Sequence, residues 1–298
     1  MIGIDWGTTS LRAYRLDPAG TVLDRHASED GILSVPPGGF PAVLDRVIHS
    51  WVEAGETLVL LCGMVGSRQG WQEAPYLPCP AGPHDIAQAL VPLEIPGLRG
   101  LLVPGLTARD TAGVPDVMRG EETKLIGLLA TLGEAPALVC LPGTHSKWVS
   151  LAAGRVAGFA THMTGETRAV LLEHSILGRL VAPSAGPGEA SDAAFLRGVR
   201  RSGEPGGLLH HLFGTRALGL LGDLGPAETD DYLSGLLIGH EIRAAAAEAP
   251  PGRTIHLAGA ATLCRLYALA FGELGLAWRE HDPDIVARGL AAIGRTLA

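Results

Sequence analysis

Lysine is nearly missing from this sequence. Of 298 residues only Lys124 and Lys147 are lysines, so 21 of the 23 basic residues are arginines and each lysine position invites a functional question. Acidic residues outnumber basic ones, 31 to 23, for a formal charge of −8. No global basic field waits for nucleic acid or an anionic lipid surface, so neither is expected as a partner and any bound anion must be held locally. Cysteine is sparse as well: Cys62, Cys79, Cys140 and Cys264 form no CxxC pair and sit in apolar neighbourhoods. That pattern reads as buried reduced thiols and a cytoplasmic setting. No apolar run reaches the roughly 18 residues that a membrane span needs. The start, Met1 to Trp6, carries Asp5 and no basic flank, unlike a signal peptide. What is abundant is hydrophobic residue, 47%, punctuated by 41 glycines and 21 prolines, a loop-rich but globular balance. The length allows one large domain or two of about 150 residues.

Turn chemistry divides the first 25 residues into three short strands: Ile2 to Asp5, Ser10 to Leu16 and Thr21 to Arg25, around Gly7-Thr8 and Asp17-Pro18-Ala19-Gly20. Phe40 to Trp51 places Val43, Leu44, Val47, Ile48 and Trp51 on one helical face, and Thr57 to Cys62 is a continuous apolar run suited to a buried strand. From Gly63 to Pro115 glycine and proline are dense, with brief strand-like pieces such as Gly100 to Val103, which predicts loops and excursions. Glu121 to Leu132 predicts a helix.

At Ala137 the opening pattern restarts. A buried strand to Leu141, a turn at Pro142 to Ser146, a strand from Lys147 to Leu151, a turn at Ala152 to Gly154 and a third strand to Thr161 repeat the first meander. Gly7-Thr8-Thr9-Ser10 returns as Gly143-Thr144-His145-Ser146, an offset of 136 residues, which predicts two homologous halves, 1–135 and 136–298. The second half then predicts helices over 168–181, 190–199, 207–221, 230–248 and 261–271, a strand over 254–257, and a last helix capped by Asp282 with Pro283 at its first position.

A tip reading Asp-Trp-Gly-Thr-Thr-Ser offers a phosphate backbone N–H groups at Gly7 and hydroxyls at Thr8 and Thr9. Asp5 cannot face phosphate without a cation between them, which predicts Mg2+ held largely through water. Plain satisfaction of the turn's own backbone is the other reading of such residues. The second tip repeats the clamp at Gly143 and Thr144 and adds His145 and Lys147, and two clamps suit one nucleotide triphosphate, ATP, in a cleft between the halves. The chain contains no Gly-Lys dipeptide, no strand-to-helix GxGxxG and no Gly-x-Ser-x-Gly, against P-loop, dinucleotide-binding and hydrolase folds. His210-His211 lacks a third ligand at metal spacing, against zinc. Gly120-Glu121-Glu122 sits where a loop enters a helix, with both carboxylates in a first turn whose dipole also favours them structurally.

Ile4-Asp5-Trp6-Gly7-Thr8-Thr9-Ser10, Gly63-Met64-Val65-Gly66-Ser67, Met118-Arg119-Gly120-Glu121-Glu122-Thr123 and Leu141-Pro142-Gly143-Thr144-His145-Ser146-Lys147-Trp148 together resemble the 2-keto-3-deoxygalactonokinases, over nearly the whole chain. The resemblance implies an α/β fold of two ribonuclease H-like, actin-like ATPase domains. It also implies ATP-dependent phosphorylation of the 6-hydroxyl of 2-dehydro-3-deoxygalactonate in galactonate breakdown. Residue by residue, it implies that a carboxylate in Gly120-Glu121-Glu122 takes the hydroxyl proton. Glu121 is the expected base and Glu122 the reserve, because adjacent helical residues point about 100° apart, with Asp5 serving the metal. It makes Gly259, after the strand at 254–257, part of an adenosine element. A substrate carboxylate wants an arginine fork, for which Arg119 is the first candidate and Arg168 the second, with Ser67 contributing a hydroxyl. Two rivals stand beside this reading: a polyphosphate or nucleotide hydrolase of the same superfamily, and a non-catalytic sugar-acid sensor. Oligomeric state is left open, a homodimer included.

Overall fold

The computed structural model describes residues 1–182, 189–247, 252–282 and 284–297. The chain divides into two compact units: Met1–Pro136 with Ser150–Phe159 and Asp282–Ala298, and Ala137–Val149 with Ala160–His281.

In the first unit β1 (Ile2–Trp6), β2 (Leu11–Leu16) and β3 (Val22–Ser28) form the antiparallel meander that the turn residues predict. Helix α1 (Phe40–Glu53) leads to β4 (Leu58–Cys62), which pairs parallel with β1. The glycine- and proline-rich excursion is more ordered than its composition suggests. It holds β5 (Tyr76–Pro78), α2 (Pro83–Gln88), β6 (Val91–Ile95), β7 (Leu98–Leu102), β8 (Gly105–Arg109) and β9 (Pro115–Met118), and ends at α3 (Glu121–Leu132). The main sheet has the order β3-β2-β1-β4-β7-β6, and β5-β8-β9 is a separate small sheet. Alternation along β1 sends Ile2, Ile4 and Trp6 into a core with Val59, Leu61 and the predicted face of α1, Leu44, Val47, Ile48 and Trp51. The same alternation turns Asp5 to the opposite face of the sheet.

The second unit opens with β10 (Ala137–Leu141) and the start of β11 (Ser146–Ala152); the end of β11 and most of β12 (Arg155–His162) are counted with the first unit, and α4 (Thr164–His174), α5 (Glu189–Arg201), α6 (Gly207–Leu221) and α7 (Thr229–Ala247) follow in the second. Strand β13 (Ile255–Leu257), α8 (Ala261–Glu273) and β14 (Trp278–Glu280) complete it. The sheet order is β12-β11-β10-β13-β14, the first sheet's β3-β2-β1-β4-β7 over again. A two-residue turn at Ala153 (φ 50°) and Gly154 (φ 70°) joins β11 to β12, as a tight hairpin requires. Helices α5, α7 and α8 bury Phe195, Val199, Ile238, Ile242, Tyr267 and Phe271 against Leu138, Cys140, Ile255 and Leu257 of the sheet.

Three local expectations shift. Helix α4 begins at Thr164, four residues before the predicted start, and stops at His174 because Ser175 is extended (φ −120°, ψ 174°). The final helix, α9 (Ile285–Arg295), takes Asp284 as its N-cap, while the Asp282 carboxylate accepts the Asp284 N–H at 2.8 Å one turn earlier. Pro283 and Glu248 lie outside the described residues. Helix α9 also belongs to the first unit rather than to the second half of the chain, with Ile285, Val286, Leu290 and Ile293 buried and Asp284 paired to Arg25 at 3.0 Å. Cys62, Cys140 and Cys264 are buried and Cys79 partly so, all four as free thiols. No helix among the described residues is long and apolar enough to cross a membrane.

Candidate active site

In the first unit, the carboxyl ends of β1 and β4 meet the start of α3 through two glycines. Gly63 (φ +97°) lies so close to β1 that a Cβ there would be 2.6 Å from the Trp6 carbonyl oxygen, and one on Gly120 (φ +104°) would be 3.1 Å from the Gly63 Cα. Both positions combine a left-handed backbone with close approach, which only glycine meets without strain. The result is that Asp5, Gly63 and Glu121 share one end of the sheet.

The Asp5 carboxyl is pushed up first by burial, then pulled down by Lys124 and Arg12 and pushed up again by Glu121. Arg12 Nη1 is 3.9 Å from Asp5 Oδ2. Lys124 lies three residues after Glu121, on the same face of α3. Neither Lys124 nor Arg12 was singled out for a role by sequence. The signal was present for Lys124, one of two lysines in the chain at helical spacing from an acid, and absent for Arg12, one arginine among 21.

The two adjacent glutamates have different surroundings. Glu122 is fully buried; its Oε2 accepts the Gly120 N–H at 2.6 Å and its Oε1 accepts the Thr123 hydroxyl at 3.2 Å. Burial, and then the charge of Glu121, push its carboxyl up to about 8. Glu121 is only partly buried, and its Oε2 accepts the Arg119 N–H at 3.1 Å.

Arg119 is held from two sides. Its Nη2 donates to the Ala74 carbonyl at 2.7 Å, and its guanidinium carbon stacks 4.4 Å from the Tyr76 ring centroid. Its Nε and Nη1 are buried without a hydrogen-bond partner, as is the hydroxyl of Ser67. Nη1 is 3.1 Å from where a Cβ of Gly66, the residue before Ser67, would be. Buried donors left unsatisfied are uncommon in native proteins, and a cluster of them fits a small anionic or hydroxylated ligand.

The Gly7-Thr8-Thr9 tip is anchored rather than free. Gly7 N–H donates to Ser10 O at 2.9 Å, while Ile32 and Leu33 N–H groups donate to the Gly7 and Thr8 carbonyls at 3.0 and 3.2 Å. Both threonine side chains remain exposed.

The second unit holds its own cluster. The Thr144 carbonyl accepts the Glu166 N–H from the first turn of α4 at 3.0 Å, and the His145 Nε2 pairs with the Glu166 carboxylate. Lys147, only 4% exposed, donates from Nζ to the His145 carbonyl at 3.2 Å. Ala258 N–H donates to Cys140 O at 3.1 Å, which sets Gly259 beside Pro142, 3.3 Å from Pro142 Cδ to a Cβ position on the glycine. Gly143, Thr144, His145, Lys147 and Gly259 therefore come to one end of the second sheet. Below the tip lies a buried polar chain that the sequence did not disclose. Glu241 on α7 accepts from Trp148 Nε1 at 2.8 Å and from the Tyr267 hydroxyl at 2.6 Å. Since that hydroxyl has one proton, Ser146 Oγ, 2.9 Å away, donates to the tyrosine oxygen. Arg168 also lies in this unit, where its Nε donates to Ser234 Oγ at 2.8 Å and its Nη2 pairs with Asp230. Its guanidinium ties α4 to α7.

Comparison with known proteins places the chain in a family. A family model described as 2-keto-3-deoxy-galactonokinase matches residues 5–293. The 2-dehydro-3-deoxygalactonokinase of Escherichia coli (strain K12) is 38% identical over 275 residues, 92% of this chain and 90% of the relative. A crystal structure from Sinorhizobium meliloti, 36% identical, superposes with a TM-score of 0.88 over 99% of this chain and 98% of its own. The activator of the 2-hydroxyisocaproyl-CoA dehydratase from Clostridium difficile, solved with bound ADPNP, is 11% identical and covers 100% of this chain and 94% of its own with a TM-score of 0.51. At that distance the likeness is one of fold, and it agrees with the strand order repeated in the two sheets: the ribonuclease H-like units of an actin-like ATPase.

Proposed function

The chain belongs to the 2-keto-3-deoxy-galactonokinase family, and from that premise we propose that it transfers the terminal phosphoryl group of ATP to the 6-hydroxyl of 2-dehydro-3-deoxygalactonate, with Glu121 taking the hydroxyl proton. One observation carries the reading. A partly buried carboxylate, Glu121, stands at the start of α3 within electrostatic reach of Asp5 and next to Arg119, whose Nε and Nη1 are buried without acceptors. A substrate with both a carboxylate and a hydroxyl satisfies the two.

Phosphoryl transfer asks a protein mainly for position and charge, with a modest base added. Arg119 Nε and Nη1 and the Ser67 hydroxyl hold the acid end of the substrate, and the Ala74 and Tyr76 contacts keep the guanidinium from turning away. Glu121 serves as base in preference to Glu122. With its carboxyl pushed to about 8, Glu122 keeps its proton at neutral pH, and both its oxygens are committed inside the helix start. The Gly7, Thr8 and Thr9 tip and the Gly143, Thr144, His145 and Lys147 cluster hold phosphate oxygens through N–H groups, hydroxyls and the lysine charge. Gly259 lets the backbone lie flat against adenosine. Arg168 acts at one remove, keeping α4 against α7 behind the second tip.

A magnesium ion fits Asp5. Among the described residues no three His, Cys, Asp or Glu side chains cluster as a full metal cage, and Mg2+ beside a nucleotide typically takes one or two carboxylates and several waters. The Asp5 carboxyl, pushed up by burial and by Glu121, regains its charge next to a dication. The ion would neutralise charge on the phosphates.

Glu121→Gln tests the assignment. Turnover is expected to fall by about 10²–10⁴-fold, while ATP affinity by calorimetry stays within a few-fold of the parent. A purified variant that keeps its turnover removes Glu121 from the role.

A further inference from the structure

We propose that α6 is the surface through which two copies of this chain pair about a twofold axis. The helix is amphipathic in reverse. Its buried residues are His211 and Thr215, whereas Leu209, Phe213, Leu220 and Leu221 are 84, 64, 62 and 79% exposed. At 100° per residue, Leu209, Phe213 and Leu220 form one stripe and Leu221 adjoins it, so the exposed apolar groups are contiguous. An apolar stripe of this kind on a helix normally faces a core. Here the opposite side of the helix faces it, with His211 hydrogen-bonded to His240 and to the Pro205 carbonyl.

The occupant follows from what lies beside the stripe. Gly214, Ala217, Leu218 and Leu221 turn toward a cavity of about 470 Å³ whose far wall is Tyr232 with Arg197, Arg200, Arg201 and Glu204. A cavity of about 150 Å³ already admits a benzene ring. Gly214 has nothing within 4 Å of its Cβ position. One helix therefore carries a row of large apolar knobs and, on its adjoining flank, a hole whose near wall is apolar, with Ala217 common to both. A twofold axis over Ala217 exchanges position 213 with 221 and 214 with 220. Phe213 then meets Leu221 at the mouth of the partner's cavity, and Leu220 covers the gap at Gly214. A surface that complements itself under a twofold is what an isologous interface requires.

Helix α6 has no acidic residue and one arginine, Arg216, whose Nη1 is taken by the Ile176 carbonyl at 3.1 Å on the flank away from the cavity. The guanidinium of Arg197, 5.9 Å from the Tyr232 ring centroid, suits the face of an incoming aromatic ring. The four exposed side chains present on the order of 500 Å², and the cavity walls extend this toward the roughly 800 Å² per partner of a standard interface.

The test is the mass of the purified chain by sedimentation equilibrium at micromolar concentration. The expected value is twice the 30.9 kDa of one chain, and Phe213→Glu and Leu220→Glu are expected to halve it with far-ultraviolet circular dichroism unchanged. A parent chain that sediments as a monomer overturns the proposal, and so does a dimer that both variants preserve. Should the glutamate variants not fold, Ala217→Cys settles the matter, because the axis passes over that residue and brings it to its own copy: oxidation is expected to give a covalent dimer, while a control at exposed Leu23 does not. Failure of Ala217→Cys to cross-link overturns the interface.

Discussion

Two neighbouring carboxylates at the start of α3 each turn back to the N–H two residues earlier, and they differ because only one is fully buried. Glu122 reaches the Gly120 N–H and disappears from solvent, so it favours its protonated form; Glu121 accepts the Arg119 N–H and stays only partly buried. The difference has a thermodynamic signature. A carboxyl whose folded pKa is raised binds its proton more tightly in the native than in the unfolded state. Its favourable contribution is complete below the ordinary carboxylate range, near about 4, and is lost as pH rises through about 8. Glu122→Gln, always neutral, removes that loss. The parent's melting temperature is therefore expected to fall relative to the variant's from about pH 5 to about pH 9, and parallel curves would contradict the assignment. The sequence carried the pair and its place in a first helical turn. It could not carry the asymmetry, which arises from burial by residues distant in the chain. For the same reason Arg119 was legible as an arginine beside an acid, but not as one with unsatisfied donors.

At the scale of elements, the second tip depends on a polar chain that crosses three of them. Ser146 and Trp148 on β11 and Tyr267 on α8 converge on Glu241 of α7. Trp148, Tyr267 and Glu241 are widely separated in sequence, and each reads alone as a core residue or a polar helix position. Only the fold makes them one unit, which is why periodicity found the helices and missed the network. Glu241→Ala strands a buried donor, Trp148 Nε1, at about 1–3 kcal/mol, and turns the Tyr267 hydroxyl onto Ser146 Oγ. The gentler Tyr267→Phe frees Ser146 from its anchor while keeping the packing. For that variant the KM for ATP is expected to rise several-fold with kcat little changed. An unaltered KM in a folded Tyr267→Phe protein would show that the network supports the core alone. The shift in the start of α4 has a similar origin: its first turn is fixed by the Glu166 N–H on the Thr144 carbonyl, a tertiary bond with no sequence signature.

Across the whole molecule the duplication was legible, because a glycine-threonine tip flanked by strands of like order recurs 136 residues on, and the two sheets share a strand order. The return of α9 to the first unit was not. Its apolar periodicity announces a buried face without saying which sheet receives it, and chain order suggests the wrong one. The excursion from Gly63 to Pro115 is more ordered than its composition suggests, since glycine and proline there mark tight connections between short strands. The reading as a kinase rests on the assembled account, and ADP release from ATP tests it most directly. The purified chain is offered 2-dehydro-3-deoxygalactonate, its gluconate-derived epimer, the parent sugar acids and no acceptor. The account predicts release that depends on the keto-deoxy acid, with product phosphorylated at the 6-hydroxyl. Release indifferent to the acid, or phosphate set free from polyphosphate instead, would contradict it.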